Sequence, residues 1–171
     1  MSEAQAGTTA PELTADQVKK ALERLRGEQN LLGGLGAGAV AALIGAVIWA
    51  VVTDASGYQI GWMAIGVGFI VGYAVRLVGK GIDPAFGYMG AALALVGCAL
   101  GNALAVLGIV ADAQHMTYGE LWARMNPSIL LNLMSATFSP MDLLFYGIAL
   151  YEGYKLSFRR LTADEVHAAA A

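Results

Sequence analysis

The residues able to do chemistry are few, and most stand in apolar surroundings where a charge is costly. Glu152 lies in MDLLFYGIALYEGYKLSF, Arg76 closes GWMAIGVGFIVGYAVR, and Asn102 sits inside GCALGNALAVLG. Ionisable or strongly polar groups inside a membrane segment are functional hypotheses by default. Glu152 precedes Lys155 by three residues and Arg76 precedes Lys80 by four. The two thus stand at similar depths, and a mutual ion pair would spare both an unpaired charge in low dielectric. Lys155 competes as a local partner for Glu152. A proton or ion relay through Arg76, Asn102 and Glu152 is the alternative in which these groups act chemically. For Asn102 the structural alternative is a hydrogen bond across a helix interface. Asp142 stands at a helix start, where the macrodipole favours an acid.

Other constellations point away from catalysis. The two histidines, His115 beside an outer acidic residue, Glu120, and His167 in the tail, do not assemble a recognisable zinc site. The single cysteine, Cys98, lies in an apolar run and forms neither a disulfide framework nor a cysteine metal cluster. No Ser/His/Asp set, HExxH motif or phosphate-cradling glycine loop occurs in a credible context. The expectation is a protein that is not an enzyme, with no cofactor and no metal. No basic cluster interleaved with aromatics argues for nucleic acid.

What must position these groups is a set of apolar helices. The chain has 171 residues, 57 % hydrophobic and 13 % charged, with a net charge of −3. That composition lies outside the range of soluble domains and within that of polytopic membrane proteins. Between Gln59 and Arg76 nothing is charged, and the run is flanked by Tyr58 and Trp62 at one end and by Arg76 and Lys80 at the other. This is the pattern of a membrane helix with an aromatic interface and snorkelling cations. Four spans are expected, over 31–53, 60–78, 86–110 and 141–158, forming an all-α membrane domain over 30–160. Small residues recur at helical steps along the first three. Gly34, Gly38 and Gly45 mark the first, Gly68 and Gly72 form GxxxG in the second, and Gly90, Gly97 and Gly101 run along the third. Such stripes let helix backbones approach closely. A shift of 52 residues superposes Gly38, Ala39, Leu43 and Gly45 on Gly90, Ala91, Leu95 and Gly97, a hint of duplicated hairpins.

The remaining segments are polar or amphipathic. Residues 1–13 have no period and are expected to be a disordered leader. A capping box at Thr14 to Gln17 opens an amphipathic cytoplasmic helix over 14–29. Residues 114–139 form an insertion between the third and fourth spans. A second capping box, Thr117 to Glu120, opens an interfacial helix whose apolar face carries Tyr118, Leu121, Trp122 and Met125. Asn126 and Pro127 then start a helix of about 11 residues, too short to span and therefore surface-lying or re-entrant. The tail, 161–171, opens with LTADEV, near-identical to LTADQV at 13–18; chance accounts for such a repeat in an Ala-rich sequence.

The basic residues fall on the side of the termini, with Arg124 alone opposite, so the positive-inside rule puts both termini in the cytoplasm and the insertion on the outer face. The stretch GYQIGWMAIGVGFIVGYAVR with the glycine-rich third span resembles a set of small bacterial multi-pass proteins of unknown function. The resemblance covers roughly 31–110 and implies a bacterial inner-membrane location, without activity or site residues. The expected function is a non-catalytic multi-pass subunit or scaffold that self-associates or binds a larger membrane complex. The alternative is a small oligomeric transporter or channel using Arg76, Asn102 and Glu152 along a polar route. Expected partners are the lipid bilayer and either a second copy or another membrane protein. A lipid-facing role for the outer insertion is a third possibility.

Overall fold

The computed structural model describes residues 13–58 and 60–171, and all regular structure among them is helical. The leader expected over 1–13 therefore lies, but for Leu13, outside the described residues. The chain divides into two compact units. One combines the chain up to Glu28 with Arg160–Ala171, and the other is Gln29–Arg159.

In the smaller unit α1 (Ala15–Gly27) packs against α8 (Ala163–Ala170). Both start from the repeated hexapeptide by the same chemistry. The Thr14 hydroxyl accepts from the Gln17 N–H while Gln17 reaches back to the Thr14 N–H, and Thr162 and Glu165 repeat this. Each box satisfies two backbone donors that a helix start leaves orphaned. Arg24 donates to the Ala169 carbonyl at 2.8 Å. The tail thus folds back as a helix, which the repeat alone did not reveal.

The larger unit holds α2 (Leu31–Ser56), α3 (Met63–Gly79), α4 (Pro84–Ala113), α5 (Tyr118–Arg124), α6 (Pro127–Thr137) and α7 (Pro140–Leu156). Asn30 caps α2, its Oδ1 accepting from the Gly33 N–H at 2.7 Å. Proline stands in the first turn of α4, α6 and α7, where its missing N–H costs nothing. α3 and α4 form the central pair, with α2 packed against both on one side and α7 against both on the other. Glycine contacts give the register. Gly34 faces Gly79 and Gly45 faces Val67, so α2 and α3 are antiparallel; Gly97 faces Ala42 and Gly101 faces Trp49, so α2 and α4 run parallel. Gly68 faces Ala149 and Gly72 faces Leu156, making α3 and α7 parallel as well.

One end of this bundle is basic, with Arg76, Lys80 and Lys155 at or beyond the last turns of α3 and α7. The other is acidic, with Asp54 and Asp112 in the last turns of α2 and α4 and Asp142 in the first turn of α7. At the basic end Gln29 ties the α3–α4 connection to the start of α2. Its Oε1 accepts from the N–H groups of Ile82 and Asp83 at 2.9 and 3.1 Å, and its Nε2 donates to the Asp83 carboxylate at 2.8 Å.

α2 and α4 are each long and apolar enough to cross a membrane. At 26 and 30 residues they reach about 39 and 45 Å. α6 and α7 meet at 101° and would supply a third crossing if the bent pair acts as one. α3 is apolar but has 17 residues, about 25 Å.

Candidate functional site

The eight glycines singled out by spacing are all buried, and each is in close approach to a neighbouring helix. What they approach differs. A Cβ on Gly68 would meet the carbonyl, Cα and carbon of Ala149, and one on Gly90 would meet the Ser157 hydroxyl and the Gly153 carbonyl. At these two points backbone lies against backbone or a fixed hydroxyl, since Ser157 is itself held by a 2.6 Å bond to the Gly153 carbonyl. A Cβ on Gly72 would stand 2.7 Å from Leu156 Cβ and 3.1 Å from the Glu152 carbonyl. Gly38, Gly97 and Gly101 face side chains instead: Leu93 and Val75, Val67, and the Trp49 ring. Gly34 and Gly45 are looser, with nearest atoms at 3.0 and 3.2 Å. By contrast Gly36, Gly66 and Gly147 would meet nothing within 4 Å. The glycine stripes are occupied by contacts within the chain, and the interior they enclose is filled by Trp49, Val67, Val71, Val75, Ala94 and Cys98.

Asn102 is buried, 3 % exposed, on the acidic-end half of α4. It shares a hydrogen bond with Tyr146, whose hydroxyl donates to the Cys98 carbonyl at 3.3 Å. This links α4 to α7 across the bundle. Arg76 and Glu152 lie toward the other end, so Asn102 is not grouped with them. The Arg76 guanidinium lies 5.8 Å over the Tyr73 ring and the Lys155 ammonium 5.1 Å over the Tyr151 ring. Both cations rest on aromatics of their own helices. Glu152 is level with Gly72, one turn from Arg76, and only partly buried. Among the described residues no ion pair joins Glu152 to either cation; partial exposure removes the desolvation cost that would demand one.

In the insertion Leu121, rather than Tyr118 or Trp122, is the buried residue of α5, packed on Leu107 and Ala111 of α4 with Met125 and Leu130 against them. Trp122 is exposed. Tyr118 extends its hydroxyl to Gly108, at a point that a Cβ there would occupy. Its phenol is pushed up from the ordinary value, first by burial and then by the nearby Asp54 carboxylate. Glu120 is held below the usual carboxylate range, chiefly by the Thr117 N–H and hydroxyl and further by Arg124. Sequence spacing missed two groups. Trp49 Nε1 and Thr53 Oγ1, one turn apart on the buried side of α2, have no hydrogen-bond partner. The signal was present as two polar atoms on the stripe of small residues that α2 turns inward.

No protein-family model, curated protein or solved structure matches this chain.

Proposed function

We propose that this chain is a four-span integral protein of the bacterial inner membrane with both termini cytoplasmic, acting as a non-catalytic subunit or scaffold for a larger membrane complex. The observation that carries this is the division of α2 into two faces. One face is sunk through Gly34, Gly38 and Gly45 into the bundle; the other carries Leu32, Leu35, Leu43, Val47 and Val51, all exposed. An apolar face of this length suits lipid or a second apolar helix and no aqueous surroundings. Because the glycine stripes are already engaged, association would use this large-residue face. The clustering of Arg76, Lys80 and Lys155 at one end supports the cytoplasmic orientation of that end. α3 and α7 are short for a bilayer, but their flanking Trp62 and basic residues can reach the interfaces. The filled interior and the separation of Asn102 from Arg76 and Glu152 favour this role over transport through a single copy.

The test is native mass spectrometry on protein extracted gently from its own membranes. A stoichiometric foreign subunit is expected, or else a discrete homo-oligomer. Cysteine pairs placed at Leu43 and Val47 should then cross-link to the associated chain. A lone monomer under every mild extraction would overturn the proposal. Solute flux in liposomes abolished by Glu152→Gln would instead establish transport.

A further inference from the structure

The basic end carries cations that the subunit role does not use. α3 and α7 run parallel and end together, since Gly72 packs on Leu156 and against the Glu152 carbonyl. Arg76 stands one turn beyond Gly72, and Lys155 lies in the last turn of α7. The Arg159 N–H donates to the Gly81 carbonyl at 2.7 Å, which fastens the chain leaving α7 to the loop beside Lys80. Lys80 caps α3 in the left-handed region, φ 49°, between Gly79 and Gly81. A Cβ is strained there and glycine is the usual choice, yet the position holds an exposed ammonium.

Among the described residues no acid pairs with Arg76, Lys80 or Lys155. Arg76 and Lys155 rest on the Tyr73 and Tyr151 rings, contacts that leave their N–H donors unused. In this unit the acids at the same end are Glu152, partly buried, and Asp83, whose carboxylate receives the Gln29 amide. With Asp83 set against Arg159, neither Glu152 nor the two helix C-termini, about half a charge each, cancel the three cations. The end keeps a net positive charge.

What meets these cations is decided by depth. α3 spans about 25 Å, less than a hydrocarbon core of about 30 Å, so its terminal cations stand at the level of lipid phosphates rather than beyond them. On the same faces toward the bilayer interior, Phe69 precedes Arg76 by seven residues, and Tyr151 and Leu144 precede Lys155 by four and eleven; all three are exposed. Cations above an apolar surface complement an amphiphile with an anionic head.

We infer that the adjoining C-terminal ends of α3 and α7 bind the phosphodiester headgroup of an anionic phospholipid, engaged by Arg76, Lys80 and Lys155, with its acyl chains along Phe69, Tyr151 and Leu144. The inference rests on the membrane-spanning reading above. Guanidinium and ammonium groups suit phosphate oxygens, and a partly desolvated cation without an acid gains most from one. Because α2 packs on the opposite side of the central pair from α7, a lipid held here leaves the large-residue face of α2 open to a partner chain.

The experiment uses the full chain in non-ionic detergent, offered phosphatidylglycerol and phosphatidylcholine of identical acyl chains at equal concentration, with bound lipid counted by native mass spectrometry. One retained phosphatidylglycerol per chain, with at least about a tenfold preference, is expected. Each of Arg76→Gln, Lys80→Gln and Lys155→Gln should lower the preference about fivefold, and the three together should abolish it. Arg76→Lys with Lys155→Arg keeps the charges and should keep the preference, which separates loss of charge from loss of fold. Lys19→Gln with Lys20→Gln and Arg124→Gln removes equal charge elsewhere and should change nothing. Equal retention of the two lipids, equal loss in that control, or inorganic phosphate binding as tightly as phosphatidylglycerol would overturn the lipid site. Release of the chain from its membranes by alkaline carbonate would overturn the spanning reading and the lipid site with it, whereas a chain that resists carbonate and shows no preference sinks the lipid site alone.

Discussion

α6 and α7 are consecutive apolar helices joined by a break of two residues, yet their fates differ completely. α7 buries Ala149, Gly153 and Leu156, and α6 buries none of its residues, leaving Ile129 and Leu131 exposed. The difference lies in residue size rather than in apolar character. α7 offers Ala149 and Gly153 one turn apart, which admit the backbone of α3 at Gly68 and of α4 at Gly90. In α6, PSILLNLMSAT, the corresponding stripes carry Leu and Ile, and the helix turns through 101° to rest on α4 by Leu130. Among apolar helices, hydropathy selects the medium and small side chains select the neighbours.

This comparison can be broken most directly at Gly68 and Gly90. Gly68→Ala or Gly90→Ala forces a methyl into backbone or a fixed hydroxyl, at a cost of about 3 kcal/mol, the upper part of the overpacking range. Unfolding in mixed micelles should show it, and wild-type stability in both variants would refute backbone contact as the basis of the α3–α7 and α4–α7 packing. Gly34→Ala and Gly45→Ala, with their nearest atoms at 3.0 and 3.2 Å, should cost about 1 kcal/mol in the same assay. A cost equal to that at Gly68 would show that the spacing of glycines, and not what they face, sets their importance.

Gly36→Ala and Gly147→Ala carry the opposite sign. With open space around each, the added methyl should stabilise by about 0.5 to 1 kcal/mol through helix propensity. A loss of stability would point to a partner seated on those faces. On α6, Leu131→Ala should leave thermal unfolding of the bundle unchanged while reducing insertion of the segment, read as increased quenching by a water-soluble quencher of a probe at Ser135. An unfolding effect as large as at Gly90 would mean that α6 belongs to the core.

The smallest effect concerns the cap of α5. Because Glu120 is held below its ordinary pKa by Thr117, its contribution is present above the unfolded value near 4.5 and is lost as pH falls through the lower folded value. Amide exchange at Glu120 and Leu121 should therefore rise below about pH 4, and Glu120→Gln should remove that dependence while keeping the helix.

Much of the helical layout is legible in the chain. The starts at Thr14, Asn126 and Ser139 follow from short-range cap chemistry, which needs only residues within one turn. The apolar runs of α2 and α4 follow from hydropathy. The candidate site was less legible. The proximity expected of Glu152 and Arg76 came from depth alone, whereas the structure turns Arg76 onto Tyr73 and Lys155 onto Tyr151, partners on their own helices. The repeated hexapeptide looked accidental, because only folding brings residues 15–27 against 163–170. The superposition at 52 residues matched letters without matching roles: Gly38 meets Leu93 and Val75, while Gly90 meets Ser157 and Gly153 of α7.

By itself the sequence determined the helical class, the helix starts, the apolar medium that suits α2 and α4, and which positions are small enough for close approach. These follow from local hydrogen bonding and from transfer of side chains out of water, which act residue by residue. Tertiary structure alone decided which helices meet, that α3 and α4 form the centre, that Leu121 rather than Tyr118 is the buried residue of α5, and that Thr53, Asp54 and Asp112 line one cavity. Those depend on register between separate helices, which side-chain size permits but no local rule specifies.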